Sequence, residues 1–176
     1  MKGFEKNMKR IAKFEKVSYN EFESAWNDTF ASCEGAAAAY EGIKLPRRAT
    51  CGSAGYDFFT TSDISLAPGE TAKIPTGIRV RIDDGWVLKI YPRSGLGFKF
   101  RLQLNNTVGI IDSDYYFSDN EGHIFIKITN DSKEGKKVEL KAGDGFAQGI
   151  FVEYGITVDD DATEIRNGGF GSTSRK

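Results

Sequence analysis

Histidine is nearly missing from this chain of 176 residues: His123 is the only one, and the cysteines are two, Cys33 and Cys51. The thiols form no CxxC pair, so a tetrahedral zinc site of Cys and His ligands is excluded. They read as reduced thiols of a cytoplasmic protein rather than as a disulfide. Long apolar runs are also missing, and no stretch approaches the ~18 residues of a membrane span. The basic start (Lys2, Lys6, Lys9, Arg10) is followed by no apolar segment, so no secretory signal is expected. Strong charge of either sign is absent too. The net charge of −1 exerts no general pull on nucleic acid or anionic membrane. A phosphate-bearing partner must therefore be held locally. No GxxxxGK[ST] loop occurs, which excludes that class of nucleotide hydrolase.

What is present is glycine, 20 residues of it, set between short apolar runs as tight turns require. Hydrophobic residues make up 39% and charged residues 28%, a globular composition sufficient for one domain with a core. Residues 13–17 (KFEKV) suit a short strand. Ser18-Tyr-Asn-Glu21 forms a capping box, and Phe22, Trp26 and Phe30 mark one apolar helix face, a packing face. Ala36–Ala39 extends helical propensity until Gly42 and Pro46 stop it. The segment 18–41 is thus a helical insertion. From Ala54 onward the helical period disappears. Ile64–Leu66, a Pro68-Gly69 turn, Thr71–Ile74, Ile78–Ile82, an Asp84-Gly85 hairpin signal and Trp86–Tyr91 follow, then Ile124–Thr129 and Phe146–Val152. That is roughly eight to ten short strands, the pattern of a sandwich, jelly roll or barrel. There is no internal repeat and no second domain.

Several segments are too polar or too rich in glycine for strand building. Ala54-Gly-Tyr-Asp-Phe58 sets the carboxylate of Asp57 in an apolar context. Pro92-Arg-Ser-Gly-Leu-Gly97 offers a cation, a hydroxyl and two glycines whose amides can face an anion. Asn106-Thr-Val-Gly-Ile-Ile-Asp-Ser-Asp-Tyr115 ends an apolar strand in two acids and a ring. Gly143-Asp-Gly-Phe-Ala-Gln148 carries a lone amide, and Arg166-Asn-Gly-Gly-Phe-Gly-Ser-Thr173 lies near the C-terminus. Each taken singly fits a turn or a frayed terminus.

In this order, over residues 45–174, they resemble the five motifs of the trimeric dUTPase family. The resemblance implies an all-β, jelly-roll-like β-barrel over 45–165, a flexible C-terminal arm over 166–176, and a homotrimer whose shared sites cleave dUTP to dUMP and pyrophosphate with Mg²⁺. The charge balance and the lack of long apolar runs point to no nucleic acid and no membrane as partner. By the same resemblance, Asp112 activates the water that attacks the α-phosphorus. No histidine stands in the motifs, so the base must be a carboxylate, and partial burial at a strand end should raise its basicity. Tyr115, chosen over Tyr116 by spacing, packs beneath deoxyribose and leaves no room for a 2′-hydroxyl. Asn106 and the backbone around Gly109 read uracil, because a wrong base leaves buried groups unpaired.

Arg93, Ser94, Gly95 and Gln148 hold phosphate oxygens, the arginine by charge-assisted bonds. Asp57 reaches Mg²⁺ through water, a structural carboxylate being its competing reading. Arg166 neutralises phosphate charge, Phe170 stacks on uracil, Gly171 and glycines 168 and 169 allow close approach, and Ser172 and Thr173 bond the γ-phosphate. Two departures stand out. Gly145-Phe146 replace an arginine-isoleucine pair before Ala-Gln, and Ser174 replaces glycine after Ser-Thr. His123 reads as an ordinary strand residue, and Lys99 and Arg101 as solvated strand charges. Two rivals stay open: a dCTP deaminase, alone or bifunctional, and a nucleotide-responsive regulatory protein using segment 18–45 as an interaction surface.

Overall fold

The computed structural model describes residues 8–164 and 166. Twelve strands carry the fold: β1 (Ala12–Lys16), β2 (Arg47–Arg48), β3 (Tyr56–Phe59), β4 (Ile64–Leu66), β5 (Thr71–Pro75), β6 (Ile78–Ile82), β7 (Trp86–Pro92), β8 (Leu102–Leu104), β9 (Gly109–Ile111), β10 (Phe125–Asn130), β11 (Val138–Leu140) and β12 (Gly145–Glu153). Three helices, α1 (Tyr19–Phe30), α2 (Ala36–Glu41) and α3 (Ser94–Phe100), and a 3-10 turn, Ser113–Phe117, interrupt them. The all-β, jelly-roll-like architecture is the expected one, but the strands do not close into a barrel. They form ladders β1-β6, β5-β10-β8, β11-β4 and β2-β3-β12-β7-β9. Alternating side chains of these ladders face one another, and Phe58, Ile74, Leu88, Ile90, Ile128 and Phe146 make a nearly water-free centre.

Pro68-Gly69 is the expected turn between β4 and β5, whereas Asp84-Gly85, expected as a hairpin, is a turn without one. Asp84-Gly85 joins β6 to β7, yet β6 pairs with β1 while β7 pairs with β12 and β9. Gly85 supplies the positive φ of 80° that the corner needs. The chain thus changes ladder at the turn, a choice set by tertiary packing rather than by the local dipeptide.

The helical insertion is two helices. Ser18 Oγ accepts the Glu21 amide at 3.2 Å and starts α1. Ala31, left-handed at φ 53°, ends it, and Gly35 at φ 81° restarts the chain into α2. Phe22 and Trp26 are buried with Val17 and Ala36 in a second small core, while Phe30 is 42% exposed and leans on Trp26. Burial of Phe22 alone contributes about 1.5–3 kcal/mol to holding this segment on the sheets. The capping box is only half made. The Ser18 amide donates to Glu121 Oε2 (2.8 Å), leaving the Glu21 carboxylate free to reach elsewhere.

Candidate active site

Strand register decides which polar side chains meet. On one side of β12, Gln148 faces Asp57 of β3; on the other it faces Tyr91 of β7, and Ala147 faces Pro92. The end of β7 therefore delivers Arg93 beside the start of β12. Arg93 Nε lies 3.3 Å from Asp57 Oδ1, and its Nη1 donates to the Gly145 carbonyl at 3.3 Å. Gln148 Nε2 donates weakly to the Pro92 carbonyl at 3.4 Å.

The absence of side chains at two neighbours makes this cluster fit. A Cβ on Gly55 would stand 2.7 Å from Gln148 Oε1, and one on Gly145 would stand 2.7 Å from Arg93 Nη1. At position 145, where the sequence departs from the family pattern, a side chain would displace the end of Arg93. Sequence reasoning missed Gly55, whose signal was its place two residues before Asp57.

Ser94 and Gly95 open α3 rather than a loop, because Leu96 and Gly97 both donate to the Arg93 carbonyl (3.1 and 3.0 Å) and close the first turn. The amides of Ser94 and Gly95 come before the first intrahelical bond and have no partner within the helix. Lys99 and Arg101, expected on a strand, are in this helix and at its left-handed C-cap. Arg101 Nε bonds Asp131 Oδ2 at 3.1 Å.

A second group lines a cavity of about 660 Å³. Its wall is made where β8, paired with β10, hands over to β9, paired with β7. The connecting residues 105–108 bridge two ladders and leave the space between them open. Thr107 turns the corner at φ 65°. Asn106, Gly109, Tyr115 and Arg166 all border the cavity. Gly109 sits against Ile90, whose Cβ would be 3.1 Å from an added Cβ, so a side chain there would press on Ile90.

Asp112 follows β9 directly and is the residue before the 3-10 turn. Its side chain is 45% exposed, so the burial expected from the apolar strand before it is not found in the single chain, where Ile110 of that strand is itself half exposed. Its partner is a cation. Arg166 Nη2 donates to Asp112 Oδ2 at 2.6 Å, and Arg166 Nε to Asp114 Oδ1 at 2.9 Å. Asp114 was not singled out from sequence, although two acids separated by one residue at the start of a 3-10 turn was its signal.

Tyr115 is 6% exposed and presents its ring to the cavity, while its hydroxyl donates to the His123 carbonyl at 2.7 Å. Burial pushes its phenol above the ordinary range. Tyr116 turns away, bonding Glu15 and lying against Arg79. His123 is not a strand residue. It is wholly buried before β10, with both ring nitrogens occupied. Phe170, Gly171, Ser172 and Thr173, with glycines 168 and 169, lie outside the described residues. None of Asp57, Arg93, Ser94, Gly95 or Gln148 borders the cavity of Asn106 and Tyr115, so the expected site residues fall into two separate groups.

Residues 41–174 match the dUTPase family model. The deoxyuridine 5′-triphosphate nucleotidohydrolase of Lactococcus lactis is 43% identical over 135 residues, covering 75% of this chain and 89% of that protein. A crystal structure of a dUTPase from Streptococcus mutans superposes with a TM-score of 0.61 at 31% identity, covering 84% of this chain and 98% of that one. A mutant dUTPase of phage phi11 of S. aureus, described with a coordinated structural Mg(II) ion, shares the fold (TM-score 0.61, 22% identity, 88% and 98% covered).

Proposed function

The chain belongs to the dUTPase family and is a dUTP diphosphatase, and from that premise we propose how its residues carry out the hydrolysis. Asp112 takes a proton from a water molecule as the water oxygen bonds to the α-phosphorus. The bond from that phosphorus to the α–β bridging oxygen breaks, and its electron pair leaves with pyrophosphate, so that dUMP remains. The observation that carries this reading is that Arg166, which borders the cavity together with Asn106, Gly109 and Tyr115, bonds the Asp112 carboxylate. Uracil bonds to the strand-end backbone and Asn106, and the Tyr115 ring supports deoxyribose. A ring fixed there rejects a 2′-hydroxyl sterically. Arg93, the first-turn amides of α3 and Gln148 take the phosphate oxygens. Phe170 and the Gly-Ser-Thr run that follows it close over the nucleotide and exclude water.

Among the described residues no group of three or more His, Cys, Asp or Glu side chains forms a metal cage. A single carboxylate, Asp57, beside Arg93 suits an ion carried mainly by triphosphate oxygens and water, the habit of Mg²⁺. Asp57 would hold it through a water. When bound, the ion supplies neutralisation of the triphosphate charge. Two separate groups of site residues on one chain support a homotrimer in which neighbouring copies bring them together. The exposed faces of Phe98 (92%) and Phe117 (78%) are surface that assembly would cover. Two free, exposed thiols suit the reducing cytoplasm.

Pyrophosphate release from dUTP, dCTP, dTTP and UTP, with Mg²⁺ and with chelator, tests the reading. Release from dUTP alone, lost on chelation and restored by Mg²⁺, is expected. Ammonia from dCTP without pyrophosphate from dUTP would replace it with the deaminase reading. Sedimentation of the purified chain reads the assembly, and a monomer that is fully active would contradict the shared site.

A further inference from the structure

His123 connects the N-terminal helices to the substrate cavity. The Gly77 amide donates to its Nε2 at 2.9 Å, so that nitrogen holds a lone pair and the proton resides on Nδ1. Nδ1 in turn lies 3.1 Å from Glu21 Oε1 on the first turn of α1 and donates to it. The ring also stacks on Phe125, with centroids 4.3 Å apart, and Phe125 borders the cavity. With both nitrogens and one face engaged, the imidazole has one orientation available.

Its carbonyl accepts the Tyr115 hydroxyl at 2.7 Å, and Asn120 Nδ2 donates to that same hydroxyl at 2.9 Å. The loop between these residues has no slack. Gly122 is at φ 72°, and a Cβ there would stand 2.8 Å from the Tyr115 carbonyl oxygen and from Tyr116 Cα. Ser18 pins the same loop through Glu121, with Oγ to Oε1 at 2.6 Å. Glu21 precedes residues 41–174, the part matched by the family model, so this connection reaches the cavity from outside the shared motifs.

We propose that Glu21 and His123 are positioning residues for Tyr115, and that α1 thereby helps set how strictly the site rejects ribonucleotides. The proposal rests on the reading of Tyr115 as the support beneath deoxyribose. Removing the Glu21 carboxylate frees the His123 ring, loosens its carbonyl and lets the Tyr115 ring retreat. The cavity then admits a 2′-hydroxyl while Asp112 stays in place.

The test compares kcat/KM for dUTP and UTP in the full-length wild type, Glu21→Ala and Glu21→Gln, together with nitrogen NMR of the imidazole. The chain has one histidine, so the signal needs no assignment. The wild type is expected to show the Nδ1–H tautomer. Glu21→Ala should lose the hydrogen-bonded Nδ1–H signature and lower dUTP preference about tenfold, the scale of one lost hydrogen bond. The loss should appear in KM, with kcat for dUTP nearly kept. Glu21→Gln, whose amide oxygen still accepts, should restore both. Tyr115→Phe should lower preference similarly, and adding Glu21→Ala to it should add little. Unchanged preference in Glu21→Ala, or full additivity with Tyr115→Phe, would overturn the proposal while leaving Tyr115 its role. A wild type that accepts dUTP and UTP equally would instead remove that role, and the proposal with it.

Discussion

Arg166 grips Asp112 and Asp114 with two different nitrogens, Nη2 at 2.6 Å and Nε at 2.9 Å, and so spans both acids of the 3-10 turn with one planar group. A lysine has a single point of charge and cannot make that span. Arg166→Lys is therefore expected to lower kcat/KM for dUTP by roughly 10- to 100-fold, the equivalent of one charge-assisted hydrogen bond. Steady-state pyrophosphate release measures it, and wild-type kinetics in the lysine variant would show that the fork is dispensable.

Gly55→Ala tests the phosphate-side cluster without touching a charged group. The new methyl displaces Gln148 Oε1, the free end of a side chain, so the fold should lose no more than about 1 kcal/mol. KM for dUTP should rise about tenfold as the amide loses its place. An unchanged KM would take Gln148 out of phosphate binding.

Ser18→Ala removes the α1 cap and the hydroxyl bond to Glu121, and should cost about 1–2 kcal/mol in thermal unfolding at neutral pH. The Ser18 hydroxyl, then its amide, then Arg79, hold the Glu121 carboxyl below its ordinary 4.5. A carboxyl depressed in the folded state contributes stability that is complete above about 4.5 and is lost as pH falls through the folded value. The gap between wild type and Ser18→Ala should accordingly narrow below that pH. A gap that is constant from neutral to acid would place the whole effect in the helix cap.

Much of this molecule could be read from its residues, and the failures share a cause. Period-two alternation found β6 and β10, and the acids ending an apolar strand located Asp112, because those signals are local. Asp84-Gly85 was misread since a dipeptide specifies a corner but not the partner of the next strand. The helix Ser94–Phe100 was hidden by two glycines, whose low propensity is overridden by packing of Phe100 into the core. His123 passed as a strand residue because its partners, Gly77 and Glu21, are 46 and 102 residues away. The division of the site residues into two groups is likewise a property of strand pairing that no motif spells out.

Deleting everything after Ile165 removes Arg166 together with Phe170, Ser172 and Thr173. The sheets should keep their circular dichroism and melting behaviour, since the acids that Arg166 bonds, Asp112 and Asp114, lie outside the strands. Pyrophosphate release should be abolished. Unaltered kinetics would reduce the arm to a chain end.

Asp112→Asn probes the chemistry itself. The amide keeps the shape and can still accept from Arg166, but it takes up no proton from water. Calorimetry with a non-hydrolysable dUTP analogue should give an affinity close to wild type, while single-turnover pyrophosphate release falls by about two to four orders of magnitude. A rate within a few fold of wild type would show that another group activates the water.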